Sequence, residues 1–206
     1  MKKLICMTSV LLAGCAGIAQ TDEGGDYAQQ MLQLFKQDFK SRGPTSVERL
    51  TNPDEVQKLC STAQASNAQA ASALEQSQLA TIKFPSTPPS TWLGEWKRGE
   101  VIAQNGRGMQ SSDAVGGVNG GNCYACHQIS KTEISFGNIG PSLYQYGKLR
   151  GQSEEVLRYT WGKIYNPQAY RACSVMPRFG HHAILTEAQI KDLMALLFDP
   201  TSPANQ

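Results

Sequence analysis

Apolar side chains recur at helical spacing in the first stretch of chain beyond residue 25. Residues 26–40 place them three or four positions apart, which predicts one amphipathic helix that ends before Gly43-Pro44. Asn52-Pro53-Asp54-Glu55 has the composition of a helix start, with Asn52 as the N-cap, and predicts a second helix towards Leu79. That helix is rich in Ala and Gln, so we expect it to be exposed or to lie as an arm on another part of the chain. The apolar positions of the first helix are Tyr27, Met31, Leu32, Leu34, Phe35 and Phe39.

A proline-rich segment then divides the chain. Pro85, Pro88 and Pro89 alternate with Ser and Thr, and every tryptophan and histidine follows them. We therefore expect a helical extension over residues 20–90 and a functional domain over residues 91–206. No alternating strand pattern of useful length occurs, so the predicted fold class is all-α. The domain helices are predicted at Leu93 to Gln104, at a short piece that opens at Cys123, at Ser153 to Tyr165, and from Thr186 to just before Pro200.

The first residues have the anatomy of an export signal. Two lysines precede an apolar run from Leu4 to Leu12 that is too short to span a bilayer, and small residues follow it. Leu12-Ala13-Gly14-Cys15 resembles a bacterial lipobox, which would make Cys15 the lipidated first residue of the mature protein. The alternative is cleavage after Ala19, with a signal over residues 1–19. Both routes predict a periplasmic protein, and the first adds a membrane anchor.

Charge and cysteine usage narrow the class of protein. The formal net charge of +2 is too small to predict binding to nucleic acid. Of the six cysteines, two belong to the signal and two to the motif described next. Cys60 and Cys173 can form a disulfide in an oxidising compartment, although two separate buried thiols would look the same in the sequence.

The remaining two cysteines belong to a motif with a definite chemistry. Cys123-Tyr124-Ala125-Cys126-His127 is Cys-x-x-Cys-His, the attachment signature of c-type haem. Cysteines one helical turn apart can present both sulfurs to the porphyrin vinyl groups, and His127 can reach the iron. A redox pair or half a zinc site would need a strand-to-helix junction or a second pair of ligands, and neither accompanies the motif. We therefore predict one covalent haem c held by Cys123, Cys126 and His127.

Residues downstream can complete the iron site. The carbonyl of Pro141 is a candidate to orient His127 through its second ring nitrogen. Met176 is the predicted second axial ligand, because a loop stiffened by Pro177 can bring a thioether to the iron without disturbing a helix. A methionine ligand fills the coordination sphere, which predicts electron transfer and not substrate binding. The competing candidates are His181, His182 and Cys173, whereas Met194 lies in the apolar pattern of the last helix.

Several further segments recur together in one protein family. They are Trp96-Lys97-Arg98-Gly99-Glu100, Gly106-Arg107-Gly108, Gly120-Gly121-Asn122 before the haem motif, Ile139-Gly140-Pro141-Ser142-Leu143, Ile164-Tyr165-Asn166, Met176-Pro177-Arg178-Phe179-Gly180 and Asp199-Pro200. Over roughly residues 92–205 the chain resembles SoxX, the small cytochrome subunit of SoxAX thiosulfate-oxidising complexes. The Met-Pro-Arg-Phe-Gly loop is the most specific part. Residues 20–90 exceed the minimal SoxX domain.

The resemblance implies a class I cytochrome c fold with His127 and Met176 as axial ligands. It also implies a heterodimer with a SoxA-type cytochrome, whose own haem hosts the joining of thiosulfate to a cysteine of the SoxYZ carrier. The chain would then be the electron-transfer subunit of an L-cysteine S-thiosulfotransferase, without catalytic residues of its own, and would reduce a soluble cytochrome c. The alternatives are a free-standing monohaem carrier for another redox enzyme, and a haem sensor or binding lipoprotein with a vacant sixth position.

Overall fold

The computed structural model describes residues 24–206, so the predicted signal and the lipidation candidate Cys15 lie outside the described residues. Within that range every regular element is a helix, apart from an isolated bridge between Arg42 and Thr45. The all-α prediction is confirmed. None of the helices described here has the length and apolar composition that crossing a bilayer requires. The α-helices are α1 (Gly24–Asp38), α2 (Glu48–Thr51), α3 (Glu55–Cys60), α4 (Ala68–Leu79), α5 (Trp96–Gln104), α6 (Tyr146–Arg150), α7 (Glu154–Tyr165) and α8 (Glu187–Phe198).

Helices α5 and α8 cross at the centre of the domain, and Gly99 allows their close approach. A Cβ atom at Gly99 would lie 2.2 Å from the backbone oxygen of Asp192, so any larger residue would separate the helices. Arg98 fixes the same crossing, because its guanidinium donates to both carboxylate oxygens of Asp192 at 2.8 and 2.9 Å. The buried core around the crossing includes Ile102, Ala103, Leu157, Trp161, Ile164, Ile190, Leu193, Met194, Leu196, Leu197 and Phe198.

The domain helices begin where side chains or neighbouring helices bind their first amides. Thr186 accepts a hydrogen bond from the Gln189 amide and Gln189 returns one, which is the predicted capping box of α8. Helix α5 begins at Trp96, three residues later than predicted. The reason is that the amides of Gly94 and Glu95 donate to α8 instead of entering a helical turn. Helix α6 was not predicted, because five residues are too few to show a helical period.

The second helix of the extension is broken, which corrects the prediction of one helix towards Leu79. The N-cap of α3 is Asp54, two residues later than predicted, and it forms a capping box with Gln57. A 3-10 turn at Ala63–Ser66 follows α3, and Asn67 then caps α4 by accepting from two backbone amides. Side chains that bind nearby backbone amides offer the chain an alternative to a continuous helix, which explains the break.

The second half of the extension lies on the domain, which is one of the two arrangements that the sequence allowed. Asn166, at the end of α7, donates to the side-chain oxygens of Gln78 and Thr81, both at 3.0 Å. The indole N–H of Trp161 donates to the carbonyl of Lys83 at 3.0 Å. These side chains are buried or partly buried, so the extension covers part of the domain core.

Candidate functional site

The haem motif opens with a short turn, as predicted. Residues Cys123–Ala125 form a single 3-10 turn that follows Asn122, whose φ of 47° is left-handed. The amides of Cys126 and His127 both donate to the carbonyl of Cys123, at 3.1 and 2.9 Å. Both cysteines are outside any disulfide and partly exposed. The turn therefore places two thiols that are outside any disulfide beside a histidine.

The chemistry of these thiols differs from that of a redox pair. Burial raises the pKa of the Cys123 thiol to about 12, whereas the attacking cysteine of a redox pair needs a lowered pKa. Over residues 24–206, no group of three or more His, Cys, Asp or Glu side chains is arranged to hold a metal ion. The first observation argues against a redox pair, and the second leaves the motif, within the described residues, without the further ligands of a zinc site.

The ring of His127 is oriented by the loop that follows the motif. Its Nδ1 atom lies 2.7 Å from the carbonyl oxygen of Pro141. A carbonyl can only accept, so Nδ1 carries a proton, and Nε2 is the nitrogen left for a metal. A Cβ atom at Gly140 would lie 2.1 Å from the ring, and the Gly140 amide donates to the carbonyl of Cys126 at 2.9 Å. A carbonyl placed in this way prepares a histidine for metal ligation.

The loop that carries Met176 is held at both ends. The amide of Gly180 donates to the carbonyl of Tyr165 at 3.1 Å. At the other end, Cys173 forms a disulfide with Cys60, with Cα atoms 5.4 Å apart. Met176 itself is partly buried and packs against the domain core. The loop therefore has little freedom to move as a whole.

A half-buried ion pair joins the same loop to the extension. Arg178 is 5% exposed and its guanidinium donates to the carboxylate of Asp54. Burial of Asp54 opposes ionisation, but the hydrogen bond from the Gln57 amide and the nearby Arg178 outweigh it and hold the pKa of Asp54 below 3.8. Sequence reasoning missed Asp54, because no spacing pattern connects it to the loop.

The competing candidates for the second axial position have other surroundings. The sulfur of Cys173 is in the disulfide, so it has no thiolate to offer an iron. Met194 is completely buried in α8, as its apolar pattern predicted. His182 is exposed and its Nε2 atom lies 3.8 Å from the carboxylate of Asp54. His181 is partly buried, and its ring centre lies 5.2 Å from that of His182.

A polar cluster beside the motif was also missed. The hydroxyl of Tyr124, inside Cys-x-x-Cys-His, lies 3.1 Å from a carboxylate oxygen of Glu100 and 3.0 Å from the hydroxyl of Ser130. Burial raises the pKa of Glu100, the hydrogen bond from Tyr124 opposes that rise, and the charge of Glu133 adds to it. Burial also raises the pKa of Tyr124. Residues 24 positions apart on different elements have no common sequence signal.

Comparison with known proteins agrees with this geometry. The cytochrome c family profile matches residues 96–198, half of the chain. An "uncharacterized lipoprotein" of Aquifex aeolicus (strain VF5) is 41% identical over 128 residues, which are 62% of this chain and 59% of that protein. The chain thus spans less than two thirds of that relative. Cytochromes c carry covalently bound haem c and transfer electrons, and the paired thiols and oriented histidine at residues 123–127 fit that group. With its all-α fold and this match, the chain belongs to the cytochrome c family.

Proposed function

We propose that this chain is the monohaem electron-relay subunit of a SoxAX-type complex. Cys123 and Cys126 would hold the haem through thioether bonds, and His127 and Met176 would ligate its iron. The bound haem would supply a one-electron carrier. The observation that carries the proposal is that the two ligand candidates lie in segments fixed by other contacts, His127 by Pro141 and the Met176 loop by the extension.

Fixed ligands suit an electron carrier. An iron closed on both faces by side chains exchanges electrons without binding a substrate, and a methionine ligand raises its reduction potential. The protein's own contribution is to keep both ligands in place in both oxidation states. The Pro141 carbonyl holds the proton of His127 on Nδ1, and the disulfide and the Asp54–Arg178 pair restrain the loop of Met176.

The thiosulfate role is supported by the likeness of the Met176–Gly180 loop and the surrounding segments to SoxX. In this role a SoxA-type partner would join thiosulfate to a cysteine thiol of a SoxYZ carrier. An S–S bond forms, the thiol proton is released and two electrons leave. The present chain would pass those electrons one at a time to a soluble cytochrome c. The substrate site would lie in the partner.

We also propose that the mature protein is extracytoplasmic and anchored by a lipid on Cys15. The lipobox-like Leu12-Ala13-Gly14-Cys15 supports the anchor, and so does the name "lipoprotein" that the Aquifex aeolicus relative carries. The Cys60–Cys173 disulfide supports an oxidising compartment, because glutathione and thioredoxin keep thiols reduced in the cytoplasm.

The decisive experiment is co-expression with a SoxA-type cytochrome and the haem attachment machinery. We expect the two chains to co-purify, with one haem on this chain. We also expect thiosulfate and SoxYZ to reduce that haem only when the partner is present. A Cys123→Ala/Cys126→Ala chain in the same complex is the control, because it should bind the partner without forming the relay.

Two other results would contradict the proposal in different ways. A chain that purifies alone and is reduced by donors unrelated to thiosulfate would be a free-standing carrier. A ferrous protein that binds carbon monoxide readily would have an open sixth position. That result would remove Met176 as a ligand and favour a haem sensor.

A further inference from the structure

Helix α1 leaves a large apolar surface in contact with water. Three of its apolar side chains are more than half exposed (Tyr27 64%, Met31 55% and Leu34 54%), and so is Phe39 just beyond the helix, at 52%. Phe39 follows the last residue of α1 and continues the turn through its amide bond to the Phe35 carbonyl. In the later part of the extension Val56, Leu74 and Gln78 are buried, whereas none of residues 27–38 in α1 is buried.

The exposed apolar residues form one continuous face. At about 100° per residue, Leu34, Tyr27, Met31, the half-buried Phe35 and Phe39 fall within roughly 140° of the helix circumference. The opposite side carries the glutamines and the two lysines, Gln29, Gln30, Gln33, Lys36, Gln37 and Lys40. Asp38 interrupts the apolar face, but only in the last turn. A helix with this division suits a boundary between water and an apolar phase.

The sequence places this helix next to the lipidation candidate. Gly24, the first residue of α1, follows Cys15 by nine positions. At about 3.5 Å per extended residue the two are at most about 30 Å apart. A lipid on Cys15 would therefore hold α1 within reach of the bilayer surface at all times.

The connection from α1 to the domain is structured. Arg42 and Thr45 exchange two backbone hydrogen bonds, of 2.9 and 3.0 Å. The hydroxyl of Thr45 donates to the carbonyl of Met109, in the loop before the haem motif, at 3.2 Å. The connection after α1 is therefore tied to the domain by a side-chain hydrogen bond.

We propose that α1 lies in the surface of the bilayer that holds the Cys15 lipid, with its Tyr27–Met31–Leu34–Phe35 face against the acyl chains. The inference rests on the proposed lipidation. Residues 24–40 carry two aspartates and two lysines, so attraction to anionic lipid does not contribute. Burial of the apolar face is the driving force, and it needs only a zwitterionic bilayer.

The test compares the full lipidated chain with a Cys15→Ser chain, which cannot be lipidated, in the presence of vesicles of phosphatidylethanolamine and phosphatidylcholine. We expect hydrogen exchange of the amides at residues 27–39 to slow by about tenfold or more on the vesicles. Exchange in α5 and α8 should not change. Added salt should have no effect, because no net charge is involved.

Two double variants distinguish the contribution of the apolar face from that of the rest of the helix. Met31→Gln/Leu34→Gln should abolish the protection and lower vesicle binding of the Cys15→Ser chain by about tenfold or more. Gln30→Ala/Gln33→Ala, on the polar face, should leave both unchanged. Equal protection in the two variants would overturn the proposal, and so would exchange on vesicles that is as fast as in buffer.

Whether Cys15 carries the lipid anchor is measured separately. Mass analysis of the purified chain shows whether Cys15 carries lipid. A chain without lipid that still binds vesicles through α1 would overturn the anchor alone. Protection of α1 that depends on protein concentration and not on vesicles would overturn the membrane proposal in favour of a second copy of the chain.

Discussion

Asp54 at the start of α3 pairs with Arg178, which follows Met176 by two residues, although the partners are 124 positions apart in the chain. The Cys60–Cys173 disulfide joins the same two segments three residues before Met176. The proposed ligand thus lies between two links to the extension. Residues 54–60 therefore restrain the loop that carries Met176, which is a structural role for this part of the extension.

Removing the carboxylate of this pair should destabilise the protein. Asp54→Asn leaves Arg178 buried without its partner, and we expect the free energy of unfolding to fall by about 1–3 kcal/mol. The loss is smaller than for a fully buried pair, because the Asp54 side chain is 37% exposed. Denaturant unfolding of the haem-loaded protein measures it. Glu154→Gln is the control, since its pair with Arg158 is largely exposed and should change stability little.

The same pair predicts a pH dependence with a definite sign. The folded pKa of Asp54 is held below its usual value, so the ionised form stabilises the fold. This contribution is complete well above the ordinary pKa of 3.8 and is lost as the pH falls from there through the lowered pKa of the folded protein. Wild type and Asp54→Asn should therefore converge in acid. A stability difference that stays constant from neutral pH to about pH 2 would show that another contact is responsible.

Met176→Ala should keep the haem attached and open the iron. The thioether bonds do not involve Met176, whereas the sixth position loses its ligand, so ferrous protein should bind carbon monoxide. Absorption spectroscopy with and without the gas measures this. Met194→Leu, in the buried face of α8, is the matched control and should retain the native low-spin spectrum. Retention of that spectrum in Met176→Ala would point to His181 or His182.

Loss of the disulfide should cost stability and loosen the Met176 loop. Cys60→Ser/Cys173→Ser removes a link between residues 113 positions apart, and we expect unfolding to become easier by about 2–4 kcal/mol. Carbon monoxide should also bind faster, because the loop opens more often. Reduction of the wild-type disulfide should reproduce both effects. Two alkylatable thiols in protein handled without reductant would contradict the bond itself.

Glu100 should make the reduction potential depend on pH. Tyr124, within the haem motif, donates a hydrogen bond to the Glu100 carboxylate. This contact places a negative charge beside the motif, and that charge favours ferric iron. The potential should fall as the pH rises through the raised pKa of Glu100, above 4.5. Redox titration of Glu100→Gln should give a flat profile over that range. Glu133→Gln should keep the slope but shift it to lower pH, because the charge of Glu133 raises the pKa of Glu100. An unchanged slope in Glu100→Gln would contradict the assignment.

The sequence predicted the helices whose signals are local. The sequence shows the capping box at Thr186 and the helical period of α7 and α8 within about a dozen residues each. The structure agrees with these predictions. The prediction failed for the stretch from Asn52 to Leu79. There the uniform Ala and Gln composition indicated one continuous helix, and the prediction missed the caps at Asp54 and Asn67 that divide it.

For the candidate site, the sequence by itself determined the attachment chemistry and its cofactor class. The Cys123–His127 spacing is local, and a turn of five residues is enough to present two sulfurs and an imidazole together. Only the tertiary structure decided what fixes that chemistry in place. It pairs Asp54 with Arg178, Glu100 with Tyr124 and Cys60 with Cys173. These pairs depend on how helices pack, and packing brings together residues whose separation along the chain follows no period.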